Sequence, residues 1–240
     1  MYLLIDIGNT RIKWQYCDEN KILLTDDMLV EDFMDIDFSG IQSVEKILVS
    51  NVNHKIILDK IKSSLVKFKS PLIEVNAQSN RIMINDYQDN SQLGVDRWLT
   101  ALGAWKRYGK PLLVINAGTA ITIDLLELDK SKKPHFKGGM ILPGVAISLA
   151  VLNNSTNLID TKLGISSFPS LNTTDAVTTG IFTSVQGAVN LVCKQFPSAL
   201  PILLTGGDAQ LIYEQAEKDW KLRIKVEDGL IFEGLQTYID

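Results

Sequence analysis

The chain has 240 residues, of which 45% are hydrophobic and 22% charged, with a formal net charge of -4. That balance suits a soluble globular fold with one large core or two lobes, and gives no electrostatic reason to expect nucleic acid or an anionic membrane as partner. Two cysteines, Cys17 and Cys193, make neither a disulfide framework nor a metal cluster.

Tyr2–Ile5 is a short apolar run that predicts a buried strand, and Arg11–Tyr16 returns in alternation after the turn Asp6-Ile7-Gly8-Asn9-Thr10, which together predict a β-hairpin. The turn carries a carboxylate, free main-chain N–H groups, a hydroxyl and, one strand step on, Lys13. Those groups suit a polyphosphate with a divalent cation, but ordinary turns also use Gly and Asn, so this stretch alone leaves both readings open. No basic leader precedes the first strand, and the longest apolar stretch, around Val145–Leu152, is too short to span a membrane, so a cytoplasmic protein is expected.

Lys21–Thr25 predicts a third strand and Asp26–Asp37 a short helix or loop. Lys46–Val52 reads as a strand, Lys55–Lys69 as an amphipathic helix with Ile57, Ile61, Leu65 and Phe68 on one face, and Pro71–Val75 as a strand. Asn76–Leu93 is a long polar connection of the kind that often carries function. It leads into a helix through Trp98, Leu102 and Trp105 to Tyr108, with Asp96 and Arg97 in its first turn; the dipole there favours an acidic residue in any case.

Leu112–Asn116 is a strand, Ala117-Gly118-Thr119-Ala120 a turn, and Ile121–Leu128 and Phe136–Leu142 two further strands. DIGNTRIKW is thus repeated as NAGTAITID, and a repeated hairpin closing on a glycine turn is more specific than either copy. Val145–Leu152 predicts a helix and Asn153–Leu171 an irregular polar stretch. Thr173 or Thr174 is expected to cap a long helix to about Phe196, followed by a strand Pro201–Thr205, a helix, a strand Leu222–Val226 and a final helix Leu230–Ile239. A boundary near Gly109–Lys110 would give lobes 1–110 and 111–240. No Walker A or GxGxxG pattern occurs, and His54 and His135 lie in polar surroundings that argue against a Ser-His-Asp triad.

The chain resembles the type III pantothenate kinases, of the acetate kinase, sugar kinase, Hsp70 and actin superfamily. DIGNTRIK (6–13) is similar to the first phosphate motif, LGVDRW (93–98) to the pantothenate motif, NAGTAITID (116–124) to the second phosphate motif, and GGMILPG (138–144) and TGGDA (205–209) to the adenosine-side motifs. The resemblance implies an α/β fold of duplicated actin-like (ribonuclease H-like) domains, and transfer of the ATP γ-phosphate to the primary hydroxyl of pantothenate. It implies that Asp6, Ile7, Gly8, Asn9, Thr10, Arg11, Ile12, Lys13 and Thr119 bind ATP phosphates, with Asp6 on magnesium. It further implies Asp96 as general base, and Tyr87, Gly94, Val95, Arg97 and Thr173 around pantothenate. A homodimer, and potassium or ammonium as a monovalent cation, come with the family. There are two departures: Asn116 stands where the family usually has an aspartate linked to the monovalent cation, and Asn90 where it usually has a proline. An amide oxygen ligates a hard cation without supplying charge. The helix N-terminus and Arg97 are expected to hold the Asp96 pKa down. The other readings are a superfamily kinase with another acceptor, which has no use for Gly94–Arg97, and a catalytically idle ATP-binding accessory or regulatory protein, for which Asn116 speaks.

Overall fold

The computed structural model describes residues 1–19, 21–155, 162–196, 200–216 and 218–239. The chain divides into two compact units: Met1–Gly109 with Leu128–Lys137 and Gly229–Asp240, and Lys110–Glu127 with Gly138–Asp228. The first crossing falls between Gly109 and Lys110, while two later segments, expected from sequence in the second lobe, belong to the first unit.

In the first unit, β1 (Tyr2–Ile7) pairs antiparallel with β2 (Arg11–Cys17), and β2 with β3 (Ile22–Leu29). The third strand therefore runs on through Asp26 and Asp27, which sequence reasoning assigned to a short helix or loop; a single 3-10 segment, Val30–Asp35, follows it. An exposed edge strand needs no apolar alternation, which is why the extension was invisible. On the other side β1 pairs in parallel with β4 (Lys46–Asn51), and β4 with β5 (Leu72–Glu74), giving the order β3-β2-β1-β4-β5. Leu3, Ile5, Ile7, Ile47 and Val49 pack on one face with Ile57, Leu58, Ile61 and Leu65 of α1 (Lys55–Leu65). Strand alternation sends Leu4, Asp6, Leu48 and Ser50 to the opposite face, where α2 (Val95–Tyr108) and the last helix of the chain meet β1 and β4. A short strand, β6 (Ile84–Asn85), lies within the connection expected to be irregular.

The second unit repeats the plan. There β7 (Leu112–Ala117) and β8 (Ala120–Leu128) form the second hairpin. β9 (Pro134–Pro143), β10 (Ile202–Thr205) and β11 (Ile224–Val226) extend it to a six-stranded sheet of order β6-β9-β8-β7-β10-β11, whose last five strands follow the arrangement of the first sheet. Its core packs α3 (Val145–Ser155), α4 (Thr173–Cys193) and α5 (Ala209–Gln215) through Val145, Leu149, Ile181, Phe182, Val185, Val189 and Ile212. A short helix, α6 (Lys218–Lys221), precedes β11. Among the described residues the longest apolar helix is α4, not the segment around Val145–Leu152; by length and composition alone it could cross a membrane, yet it buries Phe182, Val185 and Val189 in this core. Of the irregular stretch expected over Asn153–Leu171, residues 153–155 end α3, and 156–161 lie outside the described residues.

The last helix, α7 (Leu230–Gln236), rejoins the first unit by packing on α2. A Cβ at Gly103 would run into the Leu230 carbonyl, and one at Gly234 into the Leu99 carbonyl, so each helix offers the other a bare backbone. Arg107 Nε holds both Glu233 carboxylate oxygens at 3.1 Å, and Lys46 Nζ donates to the Ile239 carbonyl, fastening the far ends. This close seat explains why the C-terminal helix leaves the second unit. Gly234→Ala is expected to destabilise the protein by about 1–3 kcal/mol, the range for forcing extra atoms into a packed contact, lowering the midpoint of chemical denaturation; an unchanged midpoint would refute the close crossing.

Candidate active site

The first hairpin turn is closed by Gly8 N donating to Arg11 O at 3.0 Å, and Asn53 Nδ2 holds the Gly8 carbonyl at 2.8 Å. Ile7 and Ile12 are fully buried, so only their main chain can serve a ligand, whereas Asn9 and Thr10 are exposed. Arg11 pairs with Asp27 on β3 rather than pointing free from the turn. Sheet register places Lys13 of β2 and Ser50 of β4 on either side of Asp6, so an ammonium, a carboxylate and a hydroxyl form one row on the face carrying α2.

Asp6 is only 9% exposed. Its burial pushes the carboxyl from the ordinary 3.8 up to about 7; Ser50 pulls down, Asp96 adds to the rise and Lys13 opposes it. Ser50 is near enough to exert that pull, yet Asp6 Oδ1 and Ser50 Oγ are both buried without a hydrogen bond of normal geometry. A buried carboxylate oxygen with no partner is costly and is a ready ligand for a hard cation.

Asp96, in the first turn of α2, accepts from Arg97 N at 2.8 Å. Gly94 permits this: a Cβ there would stand 2.5 Å from Asp96 Oδ1. The expectation that Asp96 is held at low pKa is corrected. Burial raises it, and the Arg97 main-chain hydrogen bond and guanidinium only partly offset that rise. Arg97 is itself 5% exposed. Its Nη1 donates to Tyr87 Oη at 2.8 Å, and the guanidinium lies 5.7 Å from the Tyr87 ring centre and 5.8 Å from that of Phe136. Tyr87 is set by Asn85 of β6, whose Oδ1 accepts from Tyr87 N at 3.0 Å, and β6 pairs in parallel with His135 and Phe136 of β9. Asn90 opens a 3-10 turn, Asn90–Gln92, capped by the Asp89 side chain.

Asp6, the glycine turn, Lys13, Tyr87 and Gly94–Arg97 thus belong to the first unit, and Asn116, Thr119 and Thr173 to the second. There Asn116 lies in register between Thr122 and Thr205. This row matches Lys13-Asp6-Ser50 but has no charge, and Thr122 Oγ1 is buried without a partner. Gly206, at φ +99°, leaves room for Asn116 Oδ1 and the Ala117 carbonyl. Thr119 is the exposed residue of the second turn, and its carbonyl accepts from Gly144 N at 3.1 Å. Thr173 is the first residue of α4, not its cap: Asn172 Oδ1 accepts from Asp175 N at 2.9 Å. Thr173 lines a cleft of about 810 Å³ with Leu142, Ser148, Leu171 and Val177. Sequence reasoning missed Ser50, Asn53 and Phe136. Ser50 and Asn53 had left a signal, as polar residues at the end of an apolar strand.

A model of the family described as type III pantothenate kinase matches residues 2–195. A type III pantothenate kinase of Methylobacillus flagellatus is 32% identical over 97% of this chain and 95% of its own, and one of Acinetobacter baylyi is 32% identical over 99% and 97%. Among solved structures, a candidate Baf family transcriptional activator from Campylobacter jejuni superposes with TM-score 0.61 at 26% identity, covering 98% of this chain and 96% of its own. A candidate N-acetylmannosamine kinase from Listeria monocytogenes gives 0.57 at 14%, over 98% and 97%, a likeness of fold alone.

A carboxyl whose folded pKa lies above its unfolded value stabilises the fold at acid pH and loses that contribution as pH rises. For Asp6 the window runs from 3.8 to about 7, with an upper bound of about 4 kcal/mol. Without added metal, the thermal midpoint should fall as pH is raised from about 5 to 8, and Asp6→Asn should flatten that fall and raise the midpoint at the alkaline end. Gly94→Ala is expected to leave the midpoint near that of the parent while displacing the Asp96 carboxylate and lowering catalytic turnover at least about tenfold; unchanged turnover would show that the Asp96 geometry is unimportant.

Proposed function

The chain belongs to the type III pantothenate kinase family and is an ATP-dependent kinase, and we propose that it transfers the γ-phosphate of ATP to the primary hydroxyl of pantothenate, giving 4'-phosphopantothenate, the opening step of coenzyme A synthesis. The observation that carries this reading is the pairing of Asp96 and Arg97 at the buried start of α2, with Tyr87 holding the Arg97 guanidinium. An anionic acceptor needs a cation that is oriented and shielded from water, and a guanidinium held by a tyrosine hydroxyl and flanked by two rings meets that need. On this reading Arg97 takes the pantothenate carboxylate, with Thr173, Gly94 and Val95 as further substrate contacts.

In this chemistry the acceptor oxygen attacks the γ-phosphorus in line, the bond from phosphorus to the β-bridging oxygen breaks, ADP leaves, and the hydroxyl proton passes to Asp96. Positioning and charge neutralisation supply most of the acceleration, so a weak base that orients the hydroxyl suffices. A carboxyl raised by burial is a better proton acceptor than a surface aspartate, provided it is ionised. The turn Gly8–Lys13 and Thr119 would hold phosphate oxygens. Asp6, with its unpartnered buried oxygen, fits magnesium, which supplies charge neutralisation of the phosphates when bound. Asn116 and Thr122 offer neutral oxygens that fit potassium or ammonium. A homodimer and a cytoplasmic location complete the reading.

The test is ADP release at saturating MgATP with pantothenate as acceptor, in sodium against potassium or ammonium buffer. Pantothenate-dependent turnover is expected. ATP binding without turnover in any salt would favour an idle accessory protein, and turnover only with another alcohol would favour a related kinase. Asp96→Asn should lower kcat about 10²- to 10⁴-fold; near-parental turnover in the folded variant would remove Asp96 as the base.

A further inference from the structure

Tyr238 follows the last turn of α7, among the residues that return to the first unit, and lies beyond the stretch matched by the family model, which ends at residue 195. Its hydroxyl accepts two hydrogen bonds, from Trp98 Nε1 at 2.9 Å and from Asn80 Nδ2 at 3.3 Å. The two donors lie on the two segments that build the acceptor site. Trp98 is fully buried on α2, two residues past Asp96, and stands edge-on to Phe136, with ring centres 6.2 Å apart. Phe136 is the ring that flanks the Arg97 guanidinium and tilts against Tyr87. Asn80 shapes the connection before β6: its Oδ1 accepts from Ile82 N at 2.9 Å and from Met83 N at 3.0 Å. Two residues further on, Asn85 sets Tyr87 through its main-chain N–H.

We propose that Tyr238 is a positioning residue of the acceptor site: its hydroxyl ties the 76–93 connection to α2, so that Tyr87 stays in reach of Arg97. This rests on the reading that Tyr87 and Arg97 receive the acceptor. Tyr238 touches no reacting atom and acts through Asn80 and Trp98. Losing the tie leaves the Arg97–Tyr87 hydrogen bond to hold the loop to the helix without that support, and leaves the phosphate turn at Gly8, which Asn53 holds, as it is.

Tyr238→Phe keeps the ring and removes the hydroxyl. Steady-state kinetics should show KM for pantothenate raised about three- to thirty-fold, the span for one or two lost hydrogen bonds, with KM for ATP and kcat within about twofold of the parent. Amide hydrogen exchange should quicken over residues 76–93 and stay unchanged in the second unit, a readout that needs no substrate. Asn80→Ala should show the same split, and the double variant should fall short of the product of the two effects. Unchanged exchange over 76–93, equal rises in both KM values, or fully multiplicative effects in the double variant would each overturn the proposal. If the parent protein itself does not phosphorylate pantothenate, the functional reading fails, while the exchange result still decides whether the tie exists.

Discussion

One buried carboxylate constrains the rest of the first unit. Asp6 lies near the end of a central strand, out of water, with one oxygen unpartnered and its pKa near neutrality. Such a group is tolerable only where the fold fixes its surroundings, because a buried charge without compensation costs several kcal/mol. Three strands in register supply Lys13 and Ser50 beside it, and strand alternation aims all three at the face where α2 begins. The same alternation buries Leu3, Ile5 and Ile7 under α1. Shifting the pairing by one residue would exchange the charged row with the core, so the apolar core sets the register of the site.

The duplication repeats this architecture and changes its chemistry. Both hairpins close through a glycine N–H to a carbonyl beyond the turn, and five strands of the second sheet follow the order of the first. The row across the second sheet is Thr122-Asn116-Thr205, with no charge. A neutral row adds no negative charge beside the second turn, whereas a carboxylate at position 116 would. The asymmetry lies in the two rows themselves: a carboxylate and an ammonium stand in one, and only neutral oxygens in the other.

Much of this was legible in the sequence because it depends on local pattern. The β1–turn–β2 hairpin, the placing of Asp96 and Arg97 in the first turn of α2 and the second hairpin follow from alternation, turn residues and helical period, and the motifs pointed to the family to which the chain belongs. What escaped depends on distance in the chain or on environment. The stretch Asp26–Leu29, with two aspartates at its start, is strand because β2 offers it an edge. The Asp96 pKa is raised because burial outweighs the adjacent Arg97, and burial cannot be read from two neighbouring letters. The capping of α4 by Asn172 rather than a threonine is a choice among adjacent cap-forming residues that propensity does not resolve.

The return of α7 to α2 makes the order of synthesis matter. Gly103, Leu99 and Trp98 emerge from the ribosome long before the glycine and tyrosine that cover them, because Gly234 and Tyr238 follow every segment of the second unit in the chain. The first unit therefore finishes folding only after the entire second unit has been made. A nascent chain stalled anywhere in the second unit exposes an unfinished N-terminal half, which makes that half, rather than the segment still being made, the natural client of a chaperone.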